Sequence, residues 1–369
     1  MKNIIKTLIV MLGSISLFAS ANAGELSVNG TAKATYNIES GGANGKGLGI
    51  TNELNFTASG ETDAGYTWSY SMELDPGATA AATDTTATDT ESAQNDDSKL
   101  TLTMPYGTVG VFISEGALDV EDAASQSVYS RPTDMGGSDG VTDNFAISSY
   151  NNLQYHTPAD MIPFGGSFKI GYAPDLDAYG SGNNAGPNQV ENTIAYAGRS
   201  ATQYQVSFDA IPYLDGVKIG ADYMEFDKQG ITGKKDQEAE SGAYYATYAV
   251  GNVSIGYSEG FRADLIGDDA HGGTAAVVLN RAEDYRQSNM SIAYAINDDL
   301  SVSYEVEKSE KNFLDDATAS VEQKSTGVQV AYNMGGMTLA LVRNSHDNPS
   351  YSSTAPDEDQ TLIAVTMAF

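Results

Sequence analysis

The chain has 369 residues and carries 49 acidic against 19 basic side chains, a formal net charge of −30 at pH 7. Such an excess of negative charge argues against binding to the phosphates of nucleic acid and indicates an attraction for cations. The sequence contains no cysteine, which excludes disulfides, thiolate metal sites and cysteine nucleophiles.

Residues 1–23 have the pattern of a secretory signal peptide. Lys2 and Lys6 provide a short positive region, an apolar stretch follows, and Ala21-Asn22-Ala23 is a small-residue cleavage site. The apolar stretch is too short to span a bilayer. The remaining chain, 24–369, has no other apolar run long enough for a transmembrane helix. Residence in a membrane would therefore require a closed β-barrel, which satisfies its backbone hydrogen bonds internally.

Apolar and polar residues alternate with period two in almost every apolar segment, which predicts strands. In one segment the apolar face carries Tyr304 and its neighbours at alternate positions, and the other face carries Ser303, Glu305 and Glu307. A soluble β-sandwich alternates in the same way. However, Ser, Thr, Asn, Gln and Gly dominate the polar face throughout the chain, which suits a water-filled lumen with lipid on the apolar side.

This alternation predicts sixteen strands. In chain order they are expected at 25–38, 48–59, 65–74, 98–105, 107–114, 144–156, 165–173, 203–211, 217–226, 242–250, 253–261, 287–296, 300–310, 326–334, 337–344 and 360–369. Short and long connections alternate between them, which is typical of short periplasmic turns and long external loops. The predicted fold is all-β, a transmembrane antiparallel up-and-down barrel. Glu191 to Ala197 could also form a strand, which leaves fourteen or eighteen strands open.

The last residues of the chain alternate in the same way and end on an aromatic side chain. Val365, Met367 and Phe369 share one face of the last segment. An ordinary edge strand would look similar, but the pattern is typical of the closing strand of an outer-membrane barrel. We interpret these three residues as an assembly signal for the barrel-assembly machinery.

The sequence offers no constellation for catalysis. His156, His271 and His346 are scattered, and none has a Ser or Asp partner that the sequence reveals, so we predict no catalytic residues. The acidic runs at 175–177 and 357–359 lack the glycine-bearing spacing of an EF-hand. We therefore predict no cofactor and no dedicated metal ligands, apart from divalent cations bound weakly at acidic loops.

The connection at 115–143 contains Pro132-Thr133-Asp134-Met135, then Gly136-Gly137, then Thr142-Asp143-Asn144-Phe145. This resembles the third loop of the Gram-negative general porins, which folds into the barrel and narrows the channel. Further matching positions are Gly30, Leu54-x-Phe56, Gly110-x-Phe112 and Phe369.

The resemblance implies a homotrimer of sixteen-stranded, water-filled pores in the outer membrane of a Gram-negative bacterium. It implies that the loop at 75–97 latches onto a neighbouring subunit, and that strands one to five and the last strand form the interface. Lipopolysaccharide and outer-membrane lipid would surround the trimer.

In the familiar members of that family, acidic residues on the third loop face a basic cluster on the barrel wall. The matching wall positions here are Thr31, Glu53, the neighbourhood of Glu115, and Ser148, and none of them is basic. Lys33 has inward parity nearby. The predicted constriction residues are Lys33, Glu53, Glu115, Asp119, Glu121, Asp122, Arg131, Asp134, Asp139 and Asp143.

A neck lined mostly by carboxylates lowers the energy of a passing cation and raises that of an anion. We therefore expect an outer-membrane porin that prefers cations and passes small cationic or neutral polar solutes by diffusion. Two alternatives remain open, a substrate-specific channel with a binding site in the neck, and a surface adhesion or receptor barrel with a blocked lumen.

Overall fold

The computed structural model describes residues 25–42, 45–75, 94–134, 143–174, 200–227, 235–264, 266–267, 282–315 and 317–369. The predicted signal peptide, most of the predicted latch loop and the segment Glu191 to Ala197 lie outside the described residues, as do Asp139 and His271.

The described chain consists almost entirely of strands. Sixteen of them are β1 (Leu26–Gly41), β2 (Gly45–Glu61), β3 (Thr67–Asp75), β4 (Gln94–Met104), β5 (Gly107–Ile113), β6 (Asn152–His156), β7 (Ser167–Ala173), β8 (Ser200–Phe208), β9 (Val217–Asp227), β11 (Glu240–Val250), β12 (Val253–Ala263), β14 (Ala282–Ala295), β15 (Leu300–Phe313), β16 (Val321–Asn333), β17 (Met337–Asp347) and β18 (Glu358–Ala368). Two short strands, β10 (Lys235–Gln237) and β13 (Ile266–Gly267), form a separate two-stranded sheet.

The sixteen long strands close into one antiparallel barrel, in which each strand pairs with its sequence neighbours and β1 pairs with β18. The predicted strand number and fold class are therefore confirmed. Closure leaves the barrel without an unpaired edge strand, which is the condition that a lipid environment sets for strands. Among the described residues, no helix is long and apolar enough to cross a membrane.

The seam between the first and last strands explains why the sequence places a glycine at position 30. The Gly30 N–H donates to the Phe369 carbonyl at 2.8 Å, and the Phe369 N–H donates back to Gly30 at 3.0 Å. A Cβ at Gly30 would lie 3.0 Å from the Phe369 ring and 2.5 Å from the carbonyl oxygen of Glu53. Met367 and Val365 pair with the small residues Ala32 and Ala34. The role of these residues in assembly stays a prediction.

The two faces of the barrel differ sharply in exposure. Tyr304 and Val328 are 46 % and 52 % exposed on the outside, whereas Ser303 and Glu305, on the opposite face of β15, are 5 % and 0 % exposed. An exposed apolar outer face fits contact with lipid hydrocarbon. The predicted outward and inward orientations of these side chains are thus correct. However, the inward-facing Ser303 and Glu305 are covered by other parts of the protein and are not exposed to water.

One predicted strand is too long, because β6 begins at Asn152 and not near residue 144. Residues 144–151 instead include a short 3-10 turn at Ile147–Ser149. Phe145 and Ile147 alternate with polar neighbours as in a lipid-facing strand, but their side chains are buried in a cluster with Leu118 and Met224. Apolar and polar residues do alternate in this segment, but they do so because the apolar side chains pack in a small core inside the barrel and not because they face lipid.

Candidate channel constriction

The described part of the connection between β5 and β6 runs along the inner wall of the barrel. The N–H of Val120 donates to Asp222 Oδ1 on β9 at 3.1 Å. Further along, the N–H of Gln126 donates to Ser291 Oγ on β14 at 3.0 Å, and that of Tyr129 donates to Gln329 Oε1 on β16 at 3.0 Å. These acceptors lie on inward-facing positions, so the described part of the connection folds into the barrel. We call its described residues, 114–134 and 143–151, the inner loop.

An apolar cluster fixes both ends of the inner loop. Leu118 from the outgoing arm and Phe145 and Ile147 from the returning arm pack together with Met224 of β9 and are 0–4 % exposed. Burying side chains of this size stabilises by roughly 1.5–3 kcal/mol each. Backbone hydrogen bonds add to this, because the Ile147 N–H donates to Gln203 Oε1 at 2.8 Å. The two arms are therefore held as one unit.

The far end of the inner loop reaches the barrel seam. Tyr129 packs against an apolar patch on the inner face of β17 and β18, which consists of Ala340, Val342, Leu362 and Ala364. The Nζ of Lys33 on β1 lies 5.9 Å from the centroid of the Tyr129 ring. Burial raises the pKa of the Tyr129 hydroxyl. Lys33 thus faces inward as predicted, and it meets an aromatic ring of the loop.

Arg131 connects the inner loop to the wall through carboxylates. Its Nε lies 2.9 Å from Glu307 Oε1 on β15, and its side chain is 8 % exposed. Within the loop the guanidinium also pairs with Asp122, with Asp143 at 3.3 Å and with Asp134 at 3.8 Å. Burial alone would lower the pKa of Arg131, but the surrounding acidic charges raise it overall. Arg131, the basic residue predicted on this loop, is therefore engaged in ion pairs.

Glu305, next to Glu307 on the same face of β15, anchors the loop without a cation. Its Oε2 accepts hydrogen bonds from Ser127 and, at 2.7 Å, from Ser125 of the inner loop. Asn289 on β14 donates to its other oxygen. Sequence reasoning placed both glutamates inward but missed their role. The sequence feature that could have indicated this role is a pair of acidic residues, two positions apart, on the polar face of one strand.

The predicted acids of the loop divide into buried and accessible ones. Glu121 is 7 % exposed and accepts the Asn144 N–H at 3.0 Å. Burial, together with the charges of Asp119 and Asp222, raises the pKa of Glu121 to about 8. Burial also raises the pKa of Asp119. The side chains of Asp122, Asp134 and Asp143 remain 47–57 % exposed.

Three of these carboxylates could together hold a cation. Glu121, Asp122 and Asp143 present oxygens that all lie within 4.8 Å of one another. They line a small cavity of about 20 Å³, and Arg131 lines it too. Because Arg131 already pairs with two of them, Asp122 and Asp143, the group resembles a charge cluster of the loop more than a dedicated metal centre.

The inner wall of β1–β4 carries charges that are at least partly accessible. Register places Thr31 directly opposite Glu53, and Asn55 opposite Glu73, so these side chains share the inward face. Glu39, Glu53 and Glu73 are half-buried there. Lys99 of β4 pairs with Glu115 at the start of the inner loop. Ser148 is not a wall residue, because it lies in the 3-10 turn of the returning arm.

One histidine does have a serine partner that the sequence did not reveal. Ser325 Oγ lies 2.9 Å from Nδ1 of His346, on adjacent strands. Both residues are buried, Ser325 completely and His346 to 97 %. A buried hydroxyl cannot reach a substrate, so the contact links β16 and β17 and does not form a nucleophile.

Comparison with known proteins agrees with this architecture. A family model described as Gram-negative porin matches residues 7–350. A comparison with curated sequences returns no match.

Solved structures of similar fold include three porins. Salmonella typhi OmpF in complex with daunomycin is 15 % identical, with a TM-score of 0.61 over 94 % of this chain and 98 % of its own. OmpT of Vibrio cholerae, in vitro folded and in its trimer form, is 11 % identical, with a TM-score of 0.60 over 94 % and 100 %. An anion-selective porin from Comamonas acidovorans is 12 % identical, with a TM-score of 0.62 over the same shares.

Family membership and barrel architecture lead to the same assignment. The family match spans far more than half of the sequence. The solved porins share the barrel over nearly their whole length. The chain therefore belongs to the Gram-negative porin family, whose members are passive channels and not enzymes, and it is a channel of the outer membrane.

Proposed function

We propose that the channel is water-filled and prefers cations, and that small cationic or neutral polar solutes cross it by passive diffusion. The observation that carries the proposal is the charge of the accessible wall. On β1–β3 the inward glutamates Glu39, Glu53 and Glu73 stand beside Lys33. Lys99 of β4 is offset by Glu115. This wall is acidic where the family resemblance leads one to expect basic residues.

The inner loop supports the same sign of selectivity. Its cation Arg131 is buried among acidic partners, while Asp122, Asp134 and Asp143 keep about half of their side-chain surface accessible. Carboxylates on both sides of a narrow, protein-walled path focus a negative potential. The loop thus narrows the lumen and adds to the acidity of the path.

The assembly is proposed to be a homotrimer in contact with lipopolysaccharide and outer-membrane lipid. Support comes from OmpT of Vibrio cholerae, a structural neighbour whose trimer form is known. Residues 1–23 would direct export, the loop at 75–97 would latch onto a neighbouring subunit, and Val365, Met367 and Phe369 would signal to the barrel-assembly machinery.

Selectivity does not follow from the fold, because a neighbour of equal similarity is anion-selective. The test is therefore electrical. Purified protein reconstituted in planar bilayers under a salt gradient should show ohmic single-channel currents and a reversal potential of the sign expected for cations. Anion-selective reversal would overturn the cation preference, and absence of conductance in correctly folded protein would favour the blocked receptor barrel.

A further inference from the structure

Aromatic rings and cations gather on the inner wall at the end of the barrel that carries the long connections. Register places Arg262 of β12 opposite Tyr285 of β14, and Tyr285 opposite Lys311 of β15. All three face inward, and all are partly accessible. Two of the chain's 19 basic residues thus flank one aromatic ring on adjacent strands.

A second tyrosine enters the group from the connection between β17 and β18. The ring of Tyr351 lies 5.3 Å from that of Tyr285, tilted by 54°. The hydroxyls of Tyr351 and inward-facing Ser309 lie 2.7 Å apart, which fixes the ring against the wall. The turn that brings Tyr351 inward has left-handed backbone at Asn348, Ser350 and Tyr351, each with φ of 54°. The fold thus holds this ring inward despite an uncommon backbone conformation.

Polar groups border the two rings in fixed positions. Arg262 Nε lies 3.1 Å from Asp264 Oδ1, and its Nη1 donates to the Asp143 carbonyl of the inner loop at 3.1 Å. The guanidinium also lies 4.1 Å from the Phe145 ring centroid. On the other side, Lys311 Nζ lies 4.9 Å from the ring centroid of Phe313. Arg262 and Asp264, with 12 % and 13 % of their side-chain surface exposed, thus border the rings on one side, and the Lys311 ammonium borders them on the other.

We propose that Tyr285 and Tyr351, bordered by Arg262, Asp264 and Lys311, form a binding subsite for neutral sugars at the outer mouth of the channel. An aromatic ring offers a flat apolar face to the C–H face of a pyranose. The hydroxyls of the sugar need both donors and acceptors, which the arginine–aspartate pair and the lysine supply. The proposal rests on the proposed open channel, for which it names a class of solute.

Charge argues for a neutral ligand over an aromatic anion. Asp264 offsets the charge of Arg262, and Arg262 also contacts the acidic inner loop through the Asp143 carbonyl. A net charge of −30 on the whole chain repels anions on approach. A sugar gains the contacts of the rings and of the polar pair without meeting that repulsion.

The test is current blockage in single channels, with maltotriose as the probe. Added to the side of the long loops, maltotriose should interrupt the ion current in a concentration-dependent, saturable way. A polyethylene glycol of the same hydrodynamic size controls for simple crowding and should cause no saturable block. Tyr285→Ala and Tyr351→Ala should each weaken the maltotriose block about tenfold, which corresponds to the loss of one ring stack, while Tyr285→Phe should retain it.

A control variant and the pattern of conductance and block distinguish failure of the sugar subsite from failure of the proposed channel function. Tyr294→Ala, which removes an exposed tyrosine on the outer face, should change neither conductance nor block. Saturable block that depends on Tyr285 and Tyr351 supports the subsite. Ohmic conductance with no saturable maltotriose block, or block by benzoate in preference to maltotriose, would overturn the sugar subsite and leave the channel proposal intact. A complete lack of conductance would overturn both.

Discussion

Glutamates face the lumen in two regions of this barrel, and their surroundings are opposite. On β15, Glu305 and Glu307 are 0 % and 4 % exposed, and their oxygens are bonded to the inner loop. On β2, Glu53 faces the same lumen and is half-buried, with Asn55 of its own strand as its partner. We call these regions the covered wall, which comprises the inward side chains of β8–β18 that contact the inner loop, and the accessible wall, on β1–β4.

The comparison shows that inward parity alone does not define a pore-lining residue. Carboxylates of the covered wall act as acceptors that position the inner loop, whereas those of the accessible wall can act on passing ions. An ion pair inside protein is far more sensitive to the loss of one partner than an exposed pair is. Mutations of equal chemistry should therefore have different consequences on the two walls.

The largest effect is expected at Arg131. Arg131→Gln leaves Glu307 buried without its cation and frees the loop acids from their shared partner, which should lower the free energy of unfolding by about 3–5 kcal/mol. The released loop should also increase current noise in single channels. Urea unfolding of the folded protein in detergent, followed by Trp and Tyr fluorescence, measures the first effect.

Arg343 provides the matched control for this prediction. It pairs with Asp359 at 2.8 Å, but both side chains are about half exposed. Arg343→Gln should therefore change stability by about 1 kcal/mol or less. Equal losses in the two variants would mean that Arg131 does not hold the loop to the wall.

A charge inserted by substitution to arginine should lower stability slightly less. Its cost should differ between the outer face, the covered wall and the accessible wall. Tyr304→Arg places a charge on the outer face and should cost about 2–4 kcal/mol near the bilayer midplane. Ser303→Arg should also be unfavourable, because Ser303 is 5 % exposed and its Oγ accepts the Val128 N–H at 3.0 Å. Asn55→Arg on the accessible wall should be nearly neutral, since Glu53 and Glu73 lie beside it.

Folding yield into lipid vesicles provides the measurement for these three variants. The alternation of polar and apolar residues alone would treat Ser303 and Asn55 as equivalent lumen positions. If Ser303→Arg folds as well as Asn55→Arg, the inner loop does not cover β15, and the distinction between the two walls fails.

The strands were predictable because their signal is local. A residue's face depends only on its parity, so Val302, Tyr304 and Val306 could be assigned from the sequence. The same locality produced the error at 144–151. Phe145 and Ile147 alternate as strand residues do, although they pack against Met224 inside the barrel.

The site itself was only partly predictable. Resemblance and charge identified the segment that folds inward and its acidic residues. They could not pair Arg131 with Glu307, which is 176 positions away in sequence, nor place Tyr129 on the patch around Val342. Such contacts depend on the register of a closed barrel, which no local pattern contains.

The loop acids should make stability depend on pH. The pKa of Glu121 is raised by burial from 4.5 to about 8, so the folded protein holds this proton more tightly than the unfolded chain. The resulting contribution to stability is fully present below about pH 4.5 and is lost as pH rises to about 8. The raised pKa of Asp119 acts in the same direction.

Unfolding free energies measured from pH 4.5 to 9 test this expectation. For the wild type, the contribution of Glu121 should decline across the interval and level off above about pH 8. Glu121→Gln should flatten the decline, since glutamine does not titrate. An identical pH profile in the variant and the wild type would show that Glu121 does not carry a raised pKa.

The smallest expected effect concerns selectivity, and it most directly separates the two walls. Glu53→Gln, alone or with Glu39→Gln, removes charge from the accessible wall and should lower the cation-to-anion permeability ratio by about two- to fivefold, because salt screens most of the unshielded interaction. Glu305→Gln removes a charge of the same sign from the covered wall, where Ser125 and Ser127 can still donate to the amide oxygen. It should leave the reversal potential unchanged under the same salt gradient. If Glu305→Gln shifts the reversal potential as much as Glu53→Gln does, permeating ions sense the field of the buried acids through the inner loop. Coverage would then be no guide to which residues set the selectivity of this channel.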